Sequence, residues 1–380
     1  MPEAIIRYKK TKSCPTSKMK TKTISVSDSM KIIFTIFILF SFTACSHKLP
    51  LVQHRNSVKI EVGPGPEDIV LDTFSTSYPR ILASCLQRRN GKDVYAEICE
   101  VNLKNDSYKI LKRSNEPQGM VFRPHGFDLV KNLKGEILLY CVSHNEEKKE
   151  HSIIVYTVFA DHLQFKEKLD SPLLVSPNDV TADCTGEIFV TNDARKRGST
   201  MESLLKLKTS NVVGYHPANQ QWSVAADRFS YANGIAINHC PSDNVLLSTI
   251  RSNKLYMLQY HPKALISNKP DPKNQTDSYS VKTIAKLKGL DNITFITDND
   301  ILVTAHLNQI AFLKHYKDPK NISPTVVYRV NKNTGEYKAV YSNDGSDISG
   351  GSTALYYNGK LYISQVFEPF LLKCDAEDMK

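Results

Sequence analysis

Residues 176–193 read SPNDVTADCTGEIFVTND: the polar pair Asn178-Asp179 precedes two short apolar strands that are joined by a Thr185-Gly186 turn. This arrangement occurs six times along the chain, at spacings of 53 to 61 residues. The repeats begin with EDIV at residue 67, HGFD at 125, NDVT at 178, NGIA at 233, DNIT at 291 and STAL at 352. No window shows the apolar spacing of a long amphipathic helix. Strand repeats at this period are typical of β-propellers.

The repeats predict an all-β fold, a six-bladed β-propeller with four-stranded blades. A closed ring is favoured because it removes most of the free sheet edges. We expect the strand LLKCD at residues 371–375 to pair with the segment SVKIEVG at residues 57–63 and so seal the ring. The propeller domain is therefore assigned to residues 58–376, preceded by a tether at residues 46–57.

The N-terminus predicts export from the cytoplasm. Residues 1–29 form a basic extension or a mis-assigned start, and residues 30–45 read MKIIFTIFILFSFTAC. The apolar run is too short for a comfortable membrane span and has the length of a signal-peptide core. Because Cys45 follows small residues, we expect a lipoprotein-type signal peptide, with a lipid on Cys45 that anchors the protein to a membrane in the periplasm or at the cell surface. An ordinary signal peptide with secretion, or an uncleaved anchor, is the alternative.

The positive charge of the chain lies largely in this leader. The formal net charge is +10, and residues 1–29 carry seven Lys and Arg against Glu3 and Asp28. The folded part shows no basic stripe, which argues against nucleic acid as a partner. Its six cysteines contain no CxxC pair, so a zinc ribbon is not supported, and disulfides cannot be assigned from the spacing.

The first residues of the repeats predict a calcium site. Equivalent positions of successive blades converge near the propeller axis, and here they carry carboxylate and amide oxygens. Hard oxygen ligands suit Ca²⁺, whereas Zn²⁺ prefers several His or Cys. Glu67 and Asp291 would neutralise the ion, and Asn178, Asn233 and Asn292 would complete its shell. Each residue taken alone is also a common turn former, but five at equivalent positions favour the metal.

The chain resembles the paraoxonase/arylesterase family over roughly residues 58–376. The resemblance is carried by GPEDIVLD, RPHGFDLV, SPNDVTADCTGEIFVTND, YANGIAIN, LDNITFITDNDILVTAH and GGSTALYYNGKLYISQVF. It implies two calcium ions per chain. The catalytic ion would be bound by Glu67, Asn178, Asn233, Asp291 and Asn292, and the structural ion by Asp68, Asp179 and the carbonyl of Phe127. It also implies a catalytic histidine pair, His125 and His144.

The resemblance implies hydrolysis of lactones or aryl esters, in which calcium polarises the carbonyl group and His125 takes a proton from the attacking water while His144 orients or relays. The partner is then a small lactone or ester. Two alternatives remain open: an enzyme similar to gluconolactonase or strictosidine synthase on a related propeller, and a non-catalytic propeller that binds a ligand through its loops. The sequence gives no information on the oligomeric state.

Three departures from the family concern the ends of the chain and the pocket. Cys374 has no cysteine partner near residues 54–58, so we expect hydrogen bonds to close the ring. Ala194 stands where the family has a further histidine. The loop after Cys85 is short and basic, with Arg88 and Arg89, where the family has an apolar lid that contains tyrosine. His306 is a further possible pocket residue.

Overall fold

A computed structural model of the chain describes residues 55–89, 95–199, 205–238, 244–260 and 279–379, together with residues 50, 52, 201, 202 and 240. The chain divides into two units, residues 1–47 and residues 48–380. The first unit, with the expected signal peptide and Cys45, lies outside the described residues. In the part of the chain that is described, no helix is both long and apolar enough to cross a membrane.

Six antiparallel sheets form the blades of a β-propeller, as the sequence predicts. Blade 1 contains β2 (Pro66–Asp72), β3 (Arg80–Leu86), β4 (Ala96–Asn102) and β5 (Tyr108–Ile110). Blade 2 contains β7 (Pro124–Lys131), β8 (Ile137–Asn145), β9 (Glu150–Val158) and β10 (His162–Asp170). It also carries a fifth short strand, β6 (Lys112–Ser114), which pairs in parallel with β10.

The remaining blades each have four strands. Blade 3 contains β11 (Pro177–Ala182), β12 (Ile188–Asn192), β13 (Ser210–His216) and β14 (Gln221–Phe229). Blade 4 contains β15 (Ala232–Ala236), β16 (Asn244–Thr249), β17 (Lys254–Tyr260) and β18 (Tyr279–Ala285). Blade 5 contains β19 (Leu290–Phe295), β20 (Asp300–Ala305), β21 (Thr325–Asn331) and β22 (Tyr337–Asn343). Blade 6 contains β23 (Gly351–Tyr357), β24 (Lys360–Gln365), β25 (Phe370–Asp375) and, from the start of the domain, β1 (Ser57–Glu61).

The two ends of the domain close the ring in blade 6. Strand β1 pairs antiparallel with β25, with Ser57 opposite Cys374 and Glu61 opposite Phe370. Arg55 extends the seam, because its side chain donates to the carbonyl oxygens of Val340 (2.9 Å) and Asp375 (2.7 Å). Cys374 is buried and has no disulfide partner among the described residues. The expectation that hydrogen bonds seal the ring is confirmed.

A disulfide links blades 3 and 4 instead. Cys184 lies two residues after the end of β11 and Cys240 four residues after the end of β15, and their Cα atoms are 5.5 Å apart. The two blades that it joins carry Asn178 and Asn233. The covalent link therefore lies between the two blades that contribute those amides.

Each inner strand changes register at the predicted head of its repeat. The ladder shifts between Pro66 and Asp68 in β2, between Pro177 and Val180 in β11, and at the equivalent positions of the other four inner strands. A bulge of this kind turns side chains away from the regular alternation of a strand. It therefore frees the head residues from packing within their own blade.

The helix α1 (Gln309–Lys317) follows β20 and was not predicted from the sequence. Asn308 caps it, since its side-chain oxygen accepts a hydrogen bond from the backbone N–H of Ala311 (3.0 Å). Its composition gives a weak apolar periodicity, and the helix places Phe312 and Tyr316 over the wall of the cavity described below.

A fully buried arginine ties blade 1 to blade 2. Arg80 donates to Asp72 (2.8 Å) and Glu100 within blade 1 and to the carbonyl oxygens of Phe159 and Ala160 (both 2.9 Å) in blade 2. Burial raises the pKa of Asp72, but hydrogen bonds from the Phe74 N–H and from Arg80 outweigh it and hold this pKa below its ordinary value. The network is fully paired, which is the condition under which buried charges are tolerated.

We expect Arg80→Met to lower the free energy of unfolding by about 3–5 kcal/mol, because it leaves two buried carboxylates without their partner. The loss should shrink as the pH falls below the ordinary pKa of Asp72, because that carboxyl is protonated first in the unfolded chain and, below its lowered native pKa, in the folded protein as well. Urea denaturation at neutral and acid pH measures both effects. Arg228→Met is the control, since the Arg228 side chain is 84% exposed and should change stability by at most about 0.5 kcal/mol. Equal losses in the two variants would contradict the prediction.

Candidate active site

Head residues from different blades meet at the propeller axis. Ser352 in blade 6 donates to Glu67 Oε1 in blade 1 (2.8 Å) and to Asp291 Oδ2 in blade 5 (3.1 Å). Asn292 Nδ2 lies 3.3 Å from the same Glu67 oxygen. A cavity of about 870 Å³ opens above them, and its wall includes Glu67, Asn178, Asn233, Asp291, His125 and His144. Six of the predicted residues therefore share one cavity, and Asn292 contacts the set through Glu67.

Two glycines allow the inner strands to approach this closely. A Cβ atom on Gly126 would lie 2.3 Å from Asp179 Oδ1, and one on Gly234 would lie 2.6 Å from the Cα atom of Asn292. Both distances are too short for any side chain. The repeats HGFD and NGIA thus need glycine after the head residue because the neighbouring blade occupies the space of a Cβ atom.

Four oxygen atoms at this site are buried without a hydrogen-bond partner. They are Glu67 Oε2, Asn178 Oδ1, Asn233 Oδ1 and Asn292 Oδ1. A buried polar atom without a partner is costly, and most such atoms in native proteins are satisfied. Burial also raises the pKa of Glu67, and the nearby Asp291 raises it further, while Arg88 acts in the opposite direction. The arrangement is suited to a positively charged group that all four oxygens could contact.

The donor set fits calcium. It contains oxygen alone, with two carboxylates and three amides, which is the ligand chemistry that Ca²⁺ prefers. In the described ranges, no group of three or more His, Cys, Asp or Glu side chains is placed to hold a metal ion. A site made by Glu67, Asp291 and asparagine amides does not depend on such a group.

The three residues expected to hold a structural ion lie on β2, β7 and β11, the inner strands that also carry Glu67, His125 and Asn178. Burial raises the pKa values of Asp68 and Asp179 well above the ordinary range, and neighbouring carboxylates add to the effect. Asp68 accepts hydrogen bonds from the backbone N–H of Phe127 (2.9 Å) and from Thr353 (2.8 Å), and Asp179 accepts one from the N–H of Ile235 (2.8 Å). Each carboxylate thus connects its own blade to a neighbouring one. The role of the Phe127 carbonyl as a ligand stays a prediction.

Three histidines form a hydrogen-bonded chain that leads away from the cavity. His125 Nδ1 lies 3.1 Å from His144 Nε2, and His144 Nδ1 lies 3.0 Å from His151 Nδ1. His125 Nε2 is on the side of Glu67, 3.9 Å from Glu67 Oε2. Burial lowers the pKa values of His125 and His144 well below 6.5, and Arg88 and Arg197 lower them further. Both imidazoles are therefore neutral at neutral pH and able to accept a proton.

Sequence reasoning missed His151 and the bridging role of Ser352. His151 lies directly opposite His144 in the β8–β9 ladder. The signal was present, because the segment SHNEEKKEHS carries a histidine on each side of a polar turn. Ser352 stands at the sixth head position, where the other repeats have Asp, Asn, Glu or His, and its hydroxyl group joins the two carboxylates of the site.

His306 lines the cavity, as expected, and its side chain is buried. Its Nε2 atom lies 2.6 Å from Asp291 Oδ2, and the ring packs on Phe312 of α1. This contact fixes the orientation of the Asp291 carboxylate. Ala194, which stands where the resemblance implied a further histidine, also lines the cavity.

Comparisons with known proteins identify the family of this chain. The family model described as Arylesterase matches residues 49–375. Human serum paraoxonase/lactonase 3 is 24% identical over 279 residues, which cover 72% of this chain and 75% of the relative. Human serum paraoxonase/arylesterase 2 is 27% identical over 253 residues, or 65% and 67% of the two chains.

A likeness to solved structures extends to the fold alone. A gluconolactonase from Xanthomonas campestris superimposes with a TM-score of 0.53 at 10% sequence identity, over 87% of this chain and 95% of that one. The family model, which matches the chain over nearly the whole propeller, decides the classification: this chain belongs to the arylesterase (paraoxonase) family.

Proposed function

We propose that this chain is a calcium-dependent hydrolase of lactones or aryl esters. The names of its relatives support an ester or lactone hydrolase at the level of the family. The observation that carries the finer proposal is the set of four unpartnered oxygens: Glu67, Asn178 and Asn233 line the cavity beside a neutral histidine pair, and Asn292 contacts Glu67. Glu67, Asn178, Asn233, Asp291 and Asn292 would hold the ion.

Calcium bound at these residues would supply a Lewis acid that polarises a carbonyl group and stabilises the negative charge that develops on its oxygen. The protein's own groups hold the substrate in a cavity with aromatic walls, and they accept the proton that the attacking water loses. His125 accepts a proton from water on Nε2, the ring nitrogen nearest Glu67. Its lowered pKa keeps it in the basic form at neutral pH.

The histidine chain can carry this proton away from the cavity. In the tautomer that leaves His125 Nε2 free, His125 Nδ1–H donates to His144 Nε2, and His144 Nδ1–H donates to His151. Protonation of His125 Nε2 then moves one proton along each hydrogen bond, so the charge passes toward His151. His144 and His151 act through His125 and are positioning residues in this scheme.

Asp68, Asp179 and the Phe127 carbonyl remain our candidates for a second, structural calcium ion.

We also propose export of the protein with a lipid on Cys45, which rests on the leader sequence. Loss of membrane association in Cys45→Ser is the measurement that checks the anchor, and secretion of the wild type would contradict it.

A panel of phenyl acetate and γ- and δ-lactones, assayed with calcium and with a chelator, tests the function. We expect hydrolysis that falls at least about a hundredfold on chelation, because stabilisation of the oxyanion is lost. Activity that survives complete chelation would overturn the calcium mechanism. Metal analysis of the same protein distinguishes the two types of enzyme. Two calcium ions per chain favour the paraoxonase type, and one favours the gluconolactonase type.

Glu67→Gln should separate the effect of calcium on stability from its effect on activity. In chelator we expect the variant to be at least as stable as the wild type, since it removes a buried carboxylate beside Asp291. At a calcium concentration of 100 Kd the wild type should gain about 2.7 kcal/mol, and the variant much less. Thermal unfolding measures both. Glu147→Gln, at an exposed position, is the control. An equal gain for Glu67→Gln and wild type would contradict the ligand role.

The histidine chain predicts a graded series of kcat values. We expect His125→Gln to lower kcat about 10²–10⁴-fold with little change in KM, His144→Gln to lower it less, and His151→Gln least. His162→Gln, whose ring pairs with Asp161 on the outside of blade 2, should match the wild type. A His125→Gln enzyme with kcat within threefold of the wild type would rule out His125 as the base.

A further inference from the structure

Four arginines line the cavity that holds the proposed hydrolytic site: Arg88, Arg123, Arg197 and Arg251. Lactones and simple aryl esters are neutral. The same wall also carries five carboxylates, from Glu67, Glu146, Asp193, Glu202 and Asp291, so what matters for each arginine is how its own donors are paired. The inference rests on the proposed function and concerns the class of substrate.

The charge of Arg197 is matched within the protein. Arg197 Nε donates to Glu146 Oε1 at 2.8 Å, and both residues lie on the cavity wall. Arg251 lies near Tyr231, which partly offsets the effect of burial on the pKa of Arg251. These two arginines therefore have a role in the structure without a ligand.

Arg88 also lies within ion-pair distance of a carboxylate, that of Glu67, but it differs in its hydrogen bonds. Its Nη1 atom donates to the backbone oxygens of Gly65 (2.7 Å) and Leu86 (3.3 Å), which fixes the guanidinium group. Its Nη2 atom is buried and has no hydrogen-bond partner, and the Glu67 carboxylate is 3.9 Å away. A fixed guanidinium with a free buried donor is prepared to bind an acceptor that enters the cavity.

Arg123 stands on the next blade, two residues before His125. Its side chain is partly buried on the cavity wall, and it forms no ion pair with a carboxylate in the described ranges. Arg88 lies beside Glu67, at the place where hydrolysis would occur, whereas Arg123 lies near Glu146, whose pKa its charge lowers. At His125 the positive field comes from Arg88 and Arg197, which add to the effect of burial in lowering its pKa.

We propose that the pocket selects esters or lactones that carry an anionic oxygen group, a carboxylate or a phosphate, near the scissile carbonyl. Arg88 Nη2 donates a charge-assisted hydrogen bond to that group, and Arg123 supplies a second positive charge. Such bonds are about twice as strong as neutral ones, and the guanidinium group is suited to both anions. A neutral substrate leaves the Arg88 donor unsatisfied inside the cavity, whereas an anionic substrate pairs it.

Three acetate esters with one leaving-group scaffold test the proposal: phenyl acetate, 4-acetoxybenzoate and 4-acetoxyphenyl phosphate. A second pair compares γ-butyrolactone with its 4-carboxylate. We expect kcat/KM to be higher for the anionic member, and the ratio of anionic to neutral substrate to fall about 10- to 100-fold in Arg88→Gln and by a smaller factor in Arg123→Gln. The benzoate and phosphate arms show which anion the site prefers.

Arg228→Gln is the control, since it removes the same charge from an exposed position and should leave the ratio as in the wild type. Thermal unfolding of every variant shows whether it is folded. An unchanged ratio in folded Arg88→Gln and Arg123→Gln, or a wild-type preference for the neutral substrates, overturns the proposal while leaving the hydrolase intact.

Binding separates this inference from the proposed function. Calorimetric titration with 2-hydroxyglutarate, the ring-opened form of the carboxylated lactone, requires no catalysis. If no ester or lactone is hydrolysed, the proposed function fails, but binding that is lost in Arg88→Gln and kept in Arg228→Gln still supports an anion site. If hydrolysis is present and 2-hydroxyglutarate binds wild type and Arg88→Gln equally, the anion site fails alone.

Discussion

The pairing of β1 with β25 closes the ring, and the geometry of the site depends on this closure. Glu67 lies on β2, the strand that follows β1, and contacts Ser352 and Asn292 from the other end of the chain. Ser352 lies 285 positions after Glu67 in the sequence, and Asn292 lies 225 positions after it. The seam determines where β2 lies beside β23, so the first carboxylate of the site is positioned by hydrogen bonds at the far edge of blade 6.

Closure of the ring buries polar oxygens without hydrogen-bond partners, and a bound cation would satisfy them. Polar head residues of several blades are brought together and buried, and four of their oxygens lack partners. Hydrogen bonds from Ser352, Thr353 and the Phe127 N–H satisfy some of the oxygens, but none of these donors carries a positive charge. Just outside this negative cluster, the cavity wall carries arginines. The same wall carries the carboxylates of Glu146, Asp193 and Glu202, so the feature that distinguishes it is the Arg88 donor, which has no hydrogen-bond partner.

Local patterns let the sequence predict the propeller and most members of the site. The Asn358-Gly359 turn was readable because both residues adopt positive φ between β23 and β24, a conformation that favours Asn and Gly. The seam was readable because LLKCD and SVKIEVG are apolar strands without another partner. The polar residues that begin the repeats could be predicted as site residues because each stands at the same place in its repeat.

Features that depend on distances across the fold were beyond the sequence. The pairing of Cys184 with Cys240 needs the spacing of two blades, and the bond from His306 to Asp291 needs the turn after β20. The free donor of Arg88 follows from two backbone oxygens that hold its other nitrogen. Helix α1 has too little apolar periodicity to be recognised, and its position is set by packing of Phe312 against His306 and Phe367.

The seam also determines how the domain would respond to mechanical load. No disulfide joins β1 to its neighbours, and Cys374 at the end of β25 is a free thiol. A pull on the N-terminal segment would act first on Arg55 and then on the hydrogen bonds of β1, before reaching any other blade. Peeling of that single strand would release the edge of blade 6 and free β2 to move. Tension at one end of the chain would thereby reach Glu67, six residues beyond the last residue of β1.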